Sequence, residues 1–243
     1  MKSSLFEYLK QFPRSIYQLK GERSRLIDQL TEKEVNEITG LNLSDNELDQ
    51  PEFIGSLQGL KSLTLKNCKL SNINFLSQLT ELELLDLTGN QISILLPISG
   101  LTKLQSLSLG KNPLSGINEL VDLKELLALY INATGTESLV ALKNLQHLTQ
   151  LDFKQNRIED ASAISGLEAL NQIDASKNPI SSVKFCSRLR NLEIISVAST
   201  EVNDFSSLYD LPGLKFLFAQ NQGINDKALK KLQSALPNCF VYA

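Results

Sequence analysis

Leu82-Glu83-Leu84-Leu85-Asp86-Leu87-Thr88-Gly89-Asn90-Gln91-Ile92 decides how the rest of this chain is read. Leu85 and Leu87 alternate with their neighbours at the two-residue period of a half-buried strand. Asn90 closes that strand and Ile92 turns back inward. The same frame appears earlier as Ile38-x-x-Leu41-x-Leu43-x-x-Asn46. Its ninth place then falls at Cys68, Asn90, Asn112, Thr134, Asn156, Asn178, Thr200 and Gln222, always 22 residues on. Nine in-phase units therefore occupy residues 38–235, with residues 1–37 before them and 236–243 after, as one continuous domain.

The period carries a mechanism. An amide at the ninth place can donate to, and accept from, backbone groups of adjacent turns that stacking has buried. Asn46, Cys68, Asn90, Asn112, Thr134, Asn156, Asn178, Thr200 and Gln222 are accordingly read as a structural ladder. Two residues on, an apolar side chain follows each of them except at Thr136. The returning limb spaces its apolar residues three apart, as in Ile73, Leu76, Leu79 and Leu82, which suits 3₁₀ segments. Pro51, Pro97, Pro113, Pro179 and Pro212 all avoid the strand positions, as residues unable to donate to a central ladder must. Nine strands stacked at roughly 4.8 Å give a parallel sheet about 40 Å long.

Units that bury their leucines only against neighbours need capping at both ends. Leu5, Leu9, Phe12, Ile16, Leu19, Leu26, Ile27 and Leu30 have helical spacings, so residues 1–37 are expected to form a helical cap, interrupted at Pro13 and Gly21. Thr31-Glu32-Lys33-Glu34 reads as a capping box opening its last helix. At the other end Ala228, Leu229, Leu232 and Leu236 share one helical face behind Asp226. Pro237 to Tyr242 would stop that helix and add a closing strand, residues 236–243 forming the C-terminal cap, with Cys239 and Phe240 in the cap core.

The frame L-x-x-L-x-L-x-x-N-x-L is that of the leucine-rich repeat. In its 22-residue form the chain resembles the repeats of bacterial internalins and is similar to the regulatory subunit of protein phosphatase 1 of the same repeat class. The resemblance rests on the frames above and on returns such as Ile73-Asn74-Phe75-Leu76-Ser77-Gln78-Leu79. It implies an α/β fold: a right-handed horseshoe solenoid that binds proteins on a concave parallel sheet, with a helical N-cap and a helix-plus-strand C-cap. No residue set here carries phosphatase binding over.

Composition excludes several other functions. The chain has 243 residues, 47 of them Leu, with 42% hydrophobic and 21% charged residues, outside the disordered class. Lys and Arg number 24 against 27 Asp and Glu, so there is no basic excess for nucleic acid. No apolar run approaches the 18 or more residues of a membrane span. Met1-Lys2-Ser3-Ser4-Leu5-Phe6-Glu7 lacks the apolar stretch of a secretory signal, so a cytoplasmic location is expected, with Cys68, Cys186 and Cys239 as reduced structural thiols. His147 is the single histidine and reads as a surface turn residue. With no zinc-ligand spacing, phosphate-binding loop or nucleophile elbow, no catalytic residue, metal or cofactor is expected.

Function is then expected on the concave face, where exposed strand positions stack into columns. The central column runs Asn42, Thr64, Asp86, Ser108, Tyr130, Asp152, Asp174, Ser196 and Phe218. Asp86, Tyr130, Asp152, Lys154, Asp174 and Lys177 form a polar and aromatic set, while Ile194, Phe216 and Phe218 form an apolar patch near the C-terminal end. Exposed rings beside charges suit a protein partner, the rings supplying buried area and the charges discrimination. Asp152–Lys154 and Asp174–Lys177 also read as pairs that simply neutralise one another. The exposed columns balance Asp45, Glu83, Asp86, Asp152, Asp174 and Glu193 against Lys61, Lys66, Lys111, Lys154, Lys177 and Lys215, which argues against phosphate-backbone or membrane binding. The reading is a monomeric, non-enzymatic scaffold or adaptor. The alternatives are a surface or secreted adhesin or effector of the internalin type, and a cation-dependent activity at Asp86, Asp152 and Asp174.

Overall fold

Repetition at a fixed phase gives this chain a sheet whose strands follow one another in sequence order. The computed structural model describes residues 4–221, 223–224 and 226–243; of residues 226–228 it describes the backbone alone. Gln222, the last rung expected of the ladder, lies outside the described residues. Among the described residues twelve strands form one sheet. They are β1 (Ile16–Leu19), β2 (Arg25–Leu26), β3 (Ile38–Asn42), β4 (Ser62–Thr64), β5 (Leu84–Asp86), β6 (Ser106–Ser108), β7 (Ala128–Tyr130), β8 (Gln150–Asp152), β9 (Gln172–Asp174), β10 (Ile194–Ser196), β11 (Phe216–Phe218) and β12 (Phe240–Tyr242).

From β3 to β12 every neighbour is parallel, and from β3 to β11 register partners lie one full repeat apart, as Leu63↔Leu85↔Leu107↔Leu129 shows. The returns contain 3₁₀ segments such as Asn74–Gln78 and Ser206–Leu208, on the convex side. Short 3₁₀ returns in place of long helices let consecutive units approach closely. The middle residue of every repeat strand from β4 to β11 is at most 1% exposed. The architecture is a right-handed leucine-rich repeat solenoid with an open, unclosed sheet.

The ninth-place side chains tie successive units together. Asn90 Oδ1 accepts the N–H groups of Cys68 and Leu70, each at 3.0 Å, while its Nδ2 donates to the carbonyls of Leu65 (2.8 Å) and Leu87 (2.7 Å). Asn112, Asn156 and Asn178 repeat the pattern one, three and four units on. At the first rung Asn46 Nδ2 reaches Ser15 Oγ in the N-terminal cap at 3.1 Å. Cys68 Sγ donates to Leu43 O, and the hydroxyls of Thr134 and Thr200 donate to Ile131 O and Val197 O. Thr136, polar where the other units are apolar, is buried, and its hydroxyl pairs with that of Thr134 at 2.7 Å.

One residue before each rung the chain must turn sharply, and the backbone there is left-handed: Asp45, Asn67, Gly89, Lys111, Ala133, Gln155, Lys177, Ser199 and Asn221 have φ between 54° and 74°. Gly89 is the residue best suited to this place, and a β-carbon on it would meet Asn67 Oδ1. Gly89→Ala is therefore expected to destabilise the fold by about 1–2 kcal/mol, and Lys111→Gly to leave it unchanged or slightly stabilised; chemical denaturation midpoints measure both.

The N-terminal cap differs from the helical expectation. Leu5–Leu9 is an α-helix (α1) and Glu32–Glu37 a 3₁₀ segment, but β1 and β2 stand between them as antiparallel strands, β1 pairing with β3. Ile16 and Leu19 fit a helical spacing of three, yet Tyr17 and Leu19 are the buried pair, at 0% and 5% exposure. Their period of two lets the segment cover the otherwise open edge of β3. The 3₁₀ segment begins at the expected box: the Thr31 hydroxyl and N–H both donate to Glu34 Oε2, at 2.7 and 2.9 Å, and Arg25 donates to Oε1 at 2.7 Å. These bonds, with Thr31 foremost, hold the Glu34 carboxyl at a pKa of about 2. A carboxyl depressed in the folded state contributes stability above its unfolded pKa of about 4.5 and loses it as pH falls towards 2. Glu34→Gln should therefore lose less stability than the wild type across that window in acid titrations of the unfolding midpoint.

At the C-terminal end α2 (Asp226–Ala235) replaces the 3₁₀ return, and β12 closes the sheet beside β11. Cys68 and Cys186 are buried, Cys239 partly so, and all three are free thiols. No helix among the described residues is long and apolar enough to cross a membrane.

Candidate protein-binding face

Strand alternation and in-register stacking place two columns side by side on the concave face. One runs Ser62, Leu84, Ser106, Ala128, Gln150, Gln172, Ile194, Phe216 and Phe240; the other is the central column Asn42 to Phe218, continued by Tyr242. Every central-column residue up to Phe218 is half-buried. Neighbouring side chains in each column stand one strand spacing apart, close enough to act as one surface.

The polar members are held by short-range bonds. Asp86, Asp152 and Asp174 each turn Oδ1 onto the backbone N–H two residues ahead, at Thr88, Lys154 and Ser176, within 3.0 Å. Asn42 does the same to Ser44. This bond steadies the turn that ends each strand. Tyr130 donates its hydroxyl to Gln150 Oε1 at 2.8 Å, spanning β7 and β8. Asp152 and Asp174 are register partners, and burial, then the Asp174 charge, push the Asp152 carboxyl above its ordinary pKa. Asp86 stands three strands from Asp152, about 14 Å away, so the three carboxylates do not converge. Among the described residues no three His, Cys, Asp or Glu side chains gather as metal ligands, and His147 is exposed.

Among the described residues neither Lys154 nor Lys177 forms a contact ion pair, although the Lys154 charge still acts on Asp152 and offsets part of the effect of burial. Lys177 is exposed at the left-handed position, with φ 55°, and Lys154 is half-buried beside it. Both line a groove of about 290 Å³ with Asp174, Ser176, Ser196 and Phe218. The ion pairs of the concave face lie instead along the opposite edge, Lys61–Glu83 at 2.6 Å and Lys215–Glu193 at 2.7 Å, each joining the same place in adjacent units. Exposed pairs of this kind contribute at most about 1 kcal/mol.

The apolar patch is larger than its sequence signal. Ile194, Phe216 and Phe218 are half-buried on the concave side, and β12 adds two rings to them. Phe216 stacks on Phe240 with centroids 5.6 Å apart, and Phe218 on Tyr242 at 4.9 Å. Phe240 is 65% exposed and Tyr242 45%, which corrects the placing of Phe240 in the cap core. Carrying the repeat period on from Phe218 leads to Phe240, but the register partner of Phe218 is Tyr242, two places further along. The α-helical return lengthens the last unit by that amount, and the alternation Phe240-Val241-Tyr242 after Phe216-Leu217-Phe218 is the signal that reveals the shift.

This geometry defines a leucine-rich repeat solenoid of 22-residue units whose free surface is an open parallel sheet. Among solved structures it is similar to an internalin, inlF, of Listeria monocytogenes, at 23% identity and a TM-score of 0.81, over 96% of this chain and 65% of that one. Internalin C2 of the same species gives 23% and 0.74, over 89% of this chain and 92% of that one. A leucine-rich repeat protein of Leptospira interrogans gives 22% and 0.58, over 86% and 73%. The chain thus spans just under two thirds of the length of inlF. At these identities the likeness establishes the fold. No protein-family model matches the chain, and no curated protein does.

Proposed function

We propose that this chain is a protein-binding scaffold that docks its partner on the concave sheet, as a monomer and without catalysis or cofactor. The observation that carries the reading is the double aromatic stack, Phe216 on the exposed Phe240 and Phe218 on the exposed Tyr242, with Phe218 lining a groove that also holds Asp174 and Lys177. Rings held rigidly by strand pairing lose little conformational freedom on binding, and adjacent charges orient a partner. The residues assigned to contact are Tyr130, Asp152, Lys154, Asp174, Lys177, Ile194, Phe216 and Phe218, now joined by Phe240 and Tyr242. Asp86 lies apart from this cluster and is assigned to the N-terminal extension of the same face. The balance of charge on the face supports a protein partner over a phosphate backbone.

Affinity capture from lysate of the source organism tests this, with the wild type beside a triple variant, Tyr130→Ala, Asp152→Lys and Phe218→Ala, of matched melting temperature. A partner retained by the wild type and lost by the variant is the expected result. Equal retention would move the site to the convex side or the N-terminal cap. The likeness to two Listeria internalins supports a second reading, a surface or secreted adhesin or effector. Fractionation of the source cells separates the two: the scaffold reading expects the protein in the cytoplasmic fraction, the adhesin reading at the surface or in the medium.

A further inference from the structure

We infer that the solenoid carries a second binding site, a cleft between units four and five that takes the phosphate group of a small organic phosphate monoester. It lies at the turns that follow the strands and is independent of the partner assigned to the concave face. The cleft follows from a break in the backbone bonding of those turns. At the tenth place of the frame, one residue after the ladder, Gln91, Arg157 and Glu201 each donate N–H to the preceding unit, at Leu70 O, Thr136 O and Ile180 O, within 2.9 Å. Unit four has Pro113 there, which has no N–H to give. Its turn is tied differently: Ser115 N–H donates to Ser93 O and Leu114 N–H to Asn112 O, both at 2.9 Å. Leu114 is left half-buried where Ile92, Ile158 and Ile180 are buried. In unit five the tenth residue is Gly135, exposed and left-handed at φ 79°, and its N–H meets no acceptor among the described residues.

The cleft holds about 570 Å³, and Lys111 and Arg157 line it together with Pro113, Leu114, Ala133 and Gly135. No carboxylate is among its described lining residues. The side chains of Asn112 and Thr134, which also border it, are committed to the ladder. The groups left over are donors: the Lys111 ammonium, which forms no ion pair among the described residues, the Arg157 guanidinium and the Gly135 N–H. Glu137 Oε1 meets Arg157 Nη1 at 3.3 Å, an exposed pair that leaves the rest of the guanidinium fork to a ligand. Glu137, Glu159 and Asp160 line a separate cleft. Two cations and a left-handed backbone N–H match a phosphate monoester, whose terminal oxygens accept from several directions at once. Lys111 and Arg157 belong to turns two strand spacings apart, about 10 Å, a span that two long side chains close around one phosphate. Pro113 and Leu114 offer the organic part of the molecule an apolar surface.

Titration of the isotope-labelled chain with phenyl phosphate, followed through its amide NMR resonances, tests this. The Gly135 amide is expected to shift and to saturate in the millimolar range or below, while the amides of Phe218 and Tyr242 stay in place. Lys111→Gly and Arg157→Gln, each at an exposed side chain, should weaken binding about fivefold with the rest of the spectrum unchanged. Glu137→Gln should tighten it, because a competing carboxylate is gone, and rising salt should weaken it. An unmoved Gly135 amide, a shift that never saturates, or binding unchanged by Lys111→Gly would each overturn the site. Benzoate bound as tightly as phenyl phosphate would overturn the assignment of a phosphate. Inorganic phosphate bound as tightly would overturn that of an organic ester.

Discussion

Replacing Leu107 with alanine is expected to cost about 2–5 kcal/mol of folding stability, a larger loss than any other kind of substitution proposed for this chain. Leu107 is fully buried and paired in register with Leu85 on one side and Leu129 on the other. Each of those leucines is itself covered only by its own neighbours, so the removed side chain leaves a void between units that no distant element can collapse to fill. Leu151→Ala, between Leu129 and Ile173, should behave alike. Leu96→Ala supplies the contrast: the same change in side chain on the convex return, where Leu96 is 67% exposed, should stay within about 0.5 kcal/mol. Denaturant unfolding of the three variants measures the differences, and similar midpoints for Leu107→Ala and Leu96→Ala would contradict the assigned register.

Asn112→Ala is expected to cost about 1–3 kcal/mol, through hydrogen bonds instead of volume. Its side chain accepts from Ile92 N–H at 3.1 Å and donates to the carbonyls of Leu87 and Leu109 at 2.9 and 2.8 Å. Asn112 is 1% exposed, so water cannot replace these partners without opening the stack. Asn112→Thr should lose less than alanine, because Thr134 and Thr200 already occupy this place and donate to a carbonyl of their own unit. The same unfolding experiment checks the order: wild type, then threonine, then alanine. A threonine variant no better than alanine would mean that the bonds at this rung contribute little beyond space filling.

The repeat strands are legible because two independent signals coincide, the alternation around Leu85 and Leu87 and the 22-residue phase of the ninth place. Where only one signal is present, the reading slips. Ile16 and Leu19 alone support a helix, and what decides for a strand is the otherwise unpaired edge of β3, a property of the assembled sheet. Phe240 falls in the core only if the alternation of the closing strand is overlooked: 22 residues on from Phe218 or 24 on from Phe216, it lies on the concave face. For the concave face, the sequence locates the columns but not the commitments of their members. That Asp152 and Asp174 bond strand-end N–H groups follows from turn geometry, as does the left-handed backbone at Lys177. Among the described residues the two lysines make no contact ion pair with the carboxylates that sequence proximity assigns to them, though the Lys154 charge still acts on Asp152.

The partner surface proposed for this chain is the concave sheet towards its C-terminal end. Hydroxyl-radical footprinting of the chain, alone and with its captured partner, tests it most directly by reading side-chain exposure at both faces at once. Protection of Tyr130, Phe218, Phe240 and Tyr242 is expected, with Ile94, Leu96 and Val140 on the opposite limb oxidised as in the free chain. Protection of Ile94, Leu96 and Val140 with the four rings unchanged would contradict it.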